Sequence, residues 1–188
     1  MKKILFSLLF GATFIVAGVT FVSCDDTSNP LKTNISYKPA DMPFVLDSLN
    51  FLAAVKTEHL LFTQNINADI DSILEAHNVS NLATLSEAEV DTISIRIVSP
   101  TGVTLNWISS ARVSIQIPGQ QELTIAHTAA INSAGQIITF VIDNVSVLPY
   151  LNNNSFTVRV YGNITPPLPV TQINMLLHLG FNLQVQVL

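Results

Sequence analysis

Three features of the sequence predict a mainly β protein, an antiparallel two-sheet β-sandwich of immunoglobulin-like architecture with one or two short helices. The first is an alternation of period two near the C-terminus. Ile173, Met175, Leu177, Leu179, Phe181, Leu183, Val185 and Val187 hold the odd positions, against Asn174, Leu176, His178, Gly180, Asn182, Gln184 and Gln186 at the even ones. Successive side chains of an extended chain point to opposite faces, so this segment buries one face and wets the other. The second feature is a set of turn signals at short intervals, Pro100-Thr101-Gly102, Pro118-Gly119 and Ser133-Ala134-Gly135, which cut the chain into strand-length pieces. The third is a polar complement drawn from Ser, Thr, Asn and Gln, with 11% charged residues against 48% hydrophobic ones.

In chain order, residues 25–39 include Ser28-Asn29-Pro30 and few large apolar side chains, so 24–40 reads as a flexible tether ahead of a domain at 41–188. Phe51, Val55, Thr57, His59 and Leu61 fit alternation and predict a strand within 49–62. Ile70, Ile73, Leu74 and His77 fall at helical spacing and predict a helix over 68–77. Asn67 is the expected cap, Asp69 and Asp71 complement the helix dipole, and Asn78 ends the helix. Ile93, Ile95 and Ile97 alternate with Ser94 and Arg96 as a strand that breaks at Pro100.

Arg112 to Ile117, Leu123 to Ala130 and Ile137 to Ile142 read as a three-strand meander turning at Pro118-Gly119 and Ser133-Ala134-Gly135. A second short helix is expected within Val145 to Leu151. Phe156, Val158, Val160 and Ile164 alternate with Thr157, Arg159 and Tyr161, and a loop through Pro166-Pro167 and Pro169 is expected to join this strand to the last as a hairpin. The last strand is long: fifteen residues at about 3.3 Å span roughly 50 Å. Gly180 is the expected place for a bulge or bend that would let it serve both sheets. About seven strands result. There is no Cys pair of the immunoglobulin kind, and Trp107, following a turn, is expected to plug one end of the core.

The N-terminus is of another kind. Lys2-Lys3 precede an apolar run that ends in Phe21-Val22-Ser23-Cys24, followed by Asp25-Asp26. A cationic start, an apolar middle and small residues before a cleavage point form a secretory signal, which is not part of the fold. Residues 21–24 resemble the lipobox of bacterial lipoproteins, with Phe21 where Leu is usual. The resemblance implies a signal peptide at 1–23, cleavage before Cys24, and a palmitate-type acyl anchor on Cys24. The alternative is an uncleaved anchor, since Ile4 to Val22 is 19 residues without a charge. The positive-inside bias exports the rest of the chain on either reading.

Asp25-Asp26 resembles the short acidic export tag of Bacteroidota surface lipoproteins. The order of linker, N-terminal strand, Asp71-Ser72-Ile73-Leu74 helix, meander and long alternating C-terminal strand resembles small Bacteroidota lipoproteins with a β-sandwich domain. This resemblance brings no established activity. It implies the outer membrane, at the cell surface or the periplasmic face. Asp47-Ser48-Leu49, Asp71-Ser72-Ile73 and Asp91-Thr92-Ile93 resemble O-glycosylation sequons of exported Bacteroidota proteins, which implies modification and not activity.

Cys24 is the sole Cys, so no intrachain disulfide can form, and acylation removes its thiol from the list of nucleophiles. Beyond residue 23 the chain holds six basic side chains, scattered, against thirteen acidic ones, a formal balance of −7. Phosphate recognition needs clustered cations, so no nucleic-acid partner is expected.

No catalytic, metal-binding or cofactor-binding residues are assigned. Asn65, Asn67, Asp69 and Asp71 alternate like calcium ligands, but an EF-hand loop needs Gly at its sixth position and Glu at its twelfth, and neither is present. The four His residues share no metal-ligand spacing, and no Gly-x-Ser-x-Gly elbow or phosphate loop occurs. Glu87, Glu89 and Asp91 alternate as paired carboxylates would, yet they read as the solvated start of the strand carrying Ile93.

Trp107, Tyr150 and Tyr161 are the candidate ligand-contact aromatics, because sugar rings stack on such faces. The expected function is therefore non-enzymatic, a binding or assembly role at the envelope with a protein or glycan partner and no cofactor. The alternatives are a carrier of an apolar ligand held between the sheets and a carbohydrate-binding module.

Overall fold

The computed structural model describes residues 31–51, 58–79 and 83–187. Residues 1–30, which include the expected signal peptide, Cys24 and the first part of the expected tether, lie outside the described residues, as do Val55 and Thr57.

Ten strands form two antiparallel sheets packed face to face, so the predicted β-sandwich is the fold. The first sheet contains β1 (Leu31–Tyr37), β2 (Met42–Asp47), β4 (Ala83–Ser99), β7 (Ile137–Thr139) and β10 (Gln172–Val187). The second follows the order β3 (Glu58–Asn67), β9 (Ser155–Ile164), β5 (Ile108–Gln116), β6 (Leu123–His127) and β8 (Val141–Ile142). Helices α1 (Ile70–Ala76) and α2 (Leu148–Leu151) complete it. Inward residues of both sheets form one apolar cluster.

β10 is the spine of the first sheet. Its odd positions from Ile173 to Val185 are buried, as the alternation predicts. Along one edge it pairs with β2 over Gln172–Leu177 and with β1 over Phe181–Val187. Along the other it pairs with β4. It does not serve the second sheet, which corrects the expectation for Gly180. The bulge at Gly180 is present, but the extra residue is Asp91 of β4. β4 is 17 residues long and carries three such residues, Ser86, Asp91 and Val98, that have no partner on β10.

Each bulge shifts the side-chain parity of β4. Thus Ala88 and Val90 face inward at even positions and Ile93, Ile95 and Ile97 at odd ones. Glu87, Glu89 and Asp91 are exposed.

Domain bounds and connections also differ from the expectation. Leu31–Tyr37, part of the expected tether, already belong to the sheet, because β1 pairs with the end of β10 through seven consecutive residues. β9 and β10 do not form a hairpin, since they lie in opposite sheets. Their connection through Pro166, Pro167 and Pro169 lacks the backbone donors a tight hairpin needs and crosses the sandwich instead. The meander holds for β5 and β6 but keeps only Val141–Ile142 of its expected third strand. The next segment divides at Phe140, which is buried, so β7 joins β4 in the first sheet and β8 joins β6 in the second.

Helix α1 is capped by Asp69, whose side chain accepts from the Ser72 amide, while the expected cap, Asn67, still belongs to β3. Asn78 follows with φ 56°, the left-handed conformation that ends helices. In β3 the buried residues are Phe62 and Ile66, because Leu61 is an extra residue relative to β9.

Candidate functional site

The inward faces being filled, what this fold can present is its two outer faces, and the sequence makes them opposite in character. On the second sheet, the even positions of β5 and the odd positions of β9 bring Arg112, Ser114, Gln116, Arg159 and Tyr161 together across neighbouring strands. Pro118-Gly119 turns the chain after β5, with Gly119 at φ 81° and the Gln120 amide donating to the Ile117 carbonyl at 3.2 Å. The turn returns Glu122 over this surface.

Its Oε1 accepts from Ser114 Oγ at 2.5 Å and from Arg112 at 3.2 Å, and its Oε2 from Tyr161 at 2.9 Å and Arg159 at 3.1 Å. Arg112 also grips Glu58 with two hydrogen bonds, at 2.7 and 2.8 Å, and lies 3.9 Å from the Tyr161 ring centre. Arg159 donates to Gln116 as well. Burial alone would raise the Glu122 carboxyl, but the hydrogen bonds from Ser114, Tyr161 and Arg112, with the charge of Arg159, hold it below its ordinary value. Burial and the bond to Glu122 raise the Tyr161 phenol. The acceptors of Glu122 are all engaged, so the cluster ties the β5–β6 turn to the sheet and leaves Glu122 no free capacity for a ligand.

The first sheet's outer face is different. Pro43 of β2, Leu176 of β10, Arg96 of β4 and Ile137 of β7 occupy one cross-strand row. Val45 and the bulged Val98 flank it, and Val45, Val98 and Ile137 are each more than half exposed. Among the described residues Arg96 has no ion-pair or hydrogen-bond partner, whereas Arg112 and Arg159 both hold Glu122. A recess of about 650 Å³ opens beside Arg96, walled by Gly102, Thr104, Asn132, Gln136 and Ile137, with no acidic residue in its lining. Its walls are fixed: Gln136 Nε2 donates to the Val103 carbonyl at 3.1 Å, and the Leu105 amide to the Gly135 carbonyl at 3.1 Å.

One row further along, His178 Nδ1 lies 2.8 Å from Asp41 Oδ1, and Ser94 is the residue paired with His178 on β4. Among the described residues no hydrogen bond joins Ser94 to His178. The His–Asp contact bridges the break between β1 and β2, where Lys38–Asp41 leave the sheet.

The candidate aromatics do not converge. Trp107 is 2% exposed, plugging the core as expected, and its buried indole N–H has no partner among the described residues. Tyr150 is 8% exposed, with its hydroxyl donating to the Gln121 carbonyl at 3.4 Å. A sugar cannot stack on rings inside the core, which corrects both assignments. Tyr161 is on the outer face, as its parity predicts, but Arg112 covers its ring.

The calcium-like series is dispersed. Asn65 accepts from Thr157 at 2.6 Å and Asp69 caps α1. An apolar carrier needs a chamber between the sheets. A recess touching both sheets, at Tyr37, Met42, Gln64 and Ile66, measures about 200 Å³ and opens at the sandwich edge.

The Arg96 surface was not among the sequence candidates. Its signal was Leu176, the apolar exception at an even position of β10. In Met42-Pro43-Phe44-Val45-Leu46 the continuous apolar run hid which residues face out.

No protein family and no curated protein matches this chain. Among solved structures it is similar to two from infectious bursal disease virus. One, of the Gt strain, has a TM-score of 0.37 at 13% identity, over 87% of this chain and 35% of that one. The other, the VP2 subviral particle, has a TM-score of 0.33 at 13% identity, over 87% of this chain and 34% of that one. The chain thus spans about a third of the solved chains it is similar to, at a level that carries no argument about function.

Proposed function

We propose that the protein is an outer-membrane lipoprotein, anchored through Cys24, whose β-sandwich has a non-enzymatic binding or assembly role at the cell envelope. The observation that carries this reading is the place of Cys24. It ends a lipobox-like segment and lies seven residues before Leu31, which is already paired in the first sheet. A lipid on Cys24 therefore holds a rigid sandwich close to a membrane. One acyl chain binds only marginally, at about 0.8 kcal/mol per buried CH₂, so the several chains of a bacterial lipoprotein give firm anchoring.

The binding role is supported by the outer face of the first sheet, where exposed apolar side chains surround a guanidinium with no counter-charge among the described residues. Apolar surface of this kind is characteristic of contact sites.

Metabolic labelling with a palmitate analogue and membrane fractionation test the anchor. Cys24→Ala is expected to lose the label and to leave the membrane fraction. Unchanged label and membrane recovery would refute the lipoprotein assignment.

A further inference from the structure

We infer that the outer face around Arg96 is a docking site for a protein segment that presents a carboxylate between apolar side chains. The inference rests on the binding role proposed above and names the face and the partner's chemistry.

Charge complementarity carries it. The chain beyond residue 23 has a balance of −7, yet at this place the single charge in the cross-strand row Pro43, Leu176, Arg96, Ile137 is positive and, among the described residues, unpaired. An Arg at the middle of an apolar surround is the arrangement that concentrates binding energy. The apolar rim excludes water, and the planar guanidinium takes a carboxylate with two parallel hydrogen bonds. Free basic side chains on an acidic protein are ordinarily drawn into ion pairs, as Arg112 and Arg159 are here.

The neighbouring recess adds a second requirement. The Thr104 hydroxyl lines it with the Asn132 amide nitrogen and the Gln136 amide oxygen, the ends of those two amides not used within the loop, as groups suited to the N–H and C=O of a peptide backbone, and none of the three residues carries a charge. β7, only three residues long, ends the sheet on this side, so an extended segment has open space beside Ile137. A peptide fits these features better than a sugar, because no aromatic face lines the recess.

The test is selection of random linear peptides displayed on phage against the full chain extracted in detergent, with Arg96→Glu as the comparison. Enriched peptides are expected to carry Asp or Glu flanked by apolar residues, and to bind Arg96→Glu at least about tenfold more weakly. Exchanging the peptide's acid for Lys should restore binding to Arg96→Glu. Ile137→Asp, which keeps the guanidinium but breaks the apolar rim, should weaken binding as well.

Peptides without an acid, binding indifferent to Arg96, or no enrichment at all would overturn the inference. So would oligogalacturonate binding at Arg96 in place of peptides, or self-association of the chain abolished by Arg96→Glu, which would assign the face to a glycan or to a second copy. Peptides enriched at another face would remove this site and leave the binding role standing. Failure of the Cys24 labelling would remove the anchor and leave the peptide result unaffected.

Discussion

Glu122 and Arg96 show how one pair of opposite charges can have unrelated roles in the same sandwich. Glu122 receives four hydrogen bonds on two oxygens and is held ionised by them. Glu122→Gln keeps one acceptor oxygen and leaves two guanidinium groups facing a neutral amide, so it should lower stability by about 1–3 kcal/mol, read from the urea midpoint. The sign with pH follows from the direction of the shift. A carboxyl depressed in the folded state stabilises fully above its ordinary value, near 4.3, and that stability is lost as pH falls through the folded value. The native chain should therefore lose more stability between pH 6 and pH 3, both chosen to bracket that value, than Glu122→Gln does, and parallel curves would show that the cluster contributes nothing. Arg96 lacks any such partner among the described residues, so its substitution is expected to alter binding and leave the urea midpoint in place.

At the level of elements, glycines and bulges decide which side chains face where. Gly162 of β9 sits inward, paired with His59 on β3 and Ala111 on β5, near the bulges at Leu61 and Ser109. A β-carbon there would lie 2.8 Å from Leu61 Cδ1, 2.9 Å from Ile108 Cδ1 and 3.3 Å from the Ser110 carbonyl oxygen. Gly162→Ala should therefore destabilise by about 1–3 kcal/mol despite the entropy gained in the unfolded chain. Gly180 faces outward, where an added β-carbon would meet chiefly Thr92 Oγ1 at 2.7 Å. A Thr hydroxyl on a solvated face can turn away, so Gly180→Ala should be the milder change. Comparing the two urea midpoints checks the order, and a reversed order would mean that the core around Gly162 has room to adjust.

For the whole molecule, the proposed lipid on Cys24 predicts an orientation at the membrane. Seven peptide steps separate Cys24 from Leu31, at most about 25 Å of extended chain. Lys32 pairs with Gln186 at the near end of the first sheet, and Ser99 with Asn174, twelve residues along β10, which is roughly 40 Å. With Cys24 acylated, an introduced Cys is the sole reactive thiol. A fluorophore on Lys32→Cys should be quenched strongly by headgroup-labelled vesicles holding the protein, and one on Thr101→Cys weakly. Equal quenching would show that the sandwich lies flat or tumbles on its tether. In the upright arrangement the Arg96 face stands toward the far end, clear of the bilayer and open to a partner.

The period of β10, the parity of β9, the turn at Pro118-Gly119, the helix before Asn78 and the burial of Trp107 were all legible in the residues, because alternation, turn geometry and size act locally. The Cys24 anchor proposed above rests on a motif contiguous in the chain and on no tertiary contact. What the residues alone left open was which strands are partners. β9 and β10 are neighbours in sequence but lie in opposite sheets, touching only across the core, and Phe140 divides one apolar run between two sheets. The bulges on β4 reverse a parity that looks continuous from Glu87 to Ile97. Pairing is chosen by burial summed over both sheets, and no single strand carries that information. For this reason the row of Pro43, Leu176, Arg96 and Ile137, drawn from four strands spread over most of the chain, exists only in the tertiary structure, while the fold class was written in the sequence.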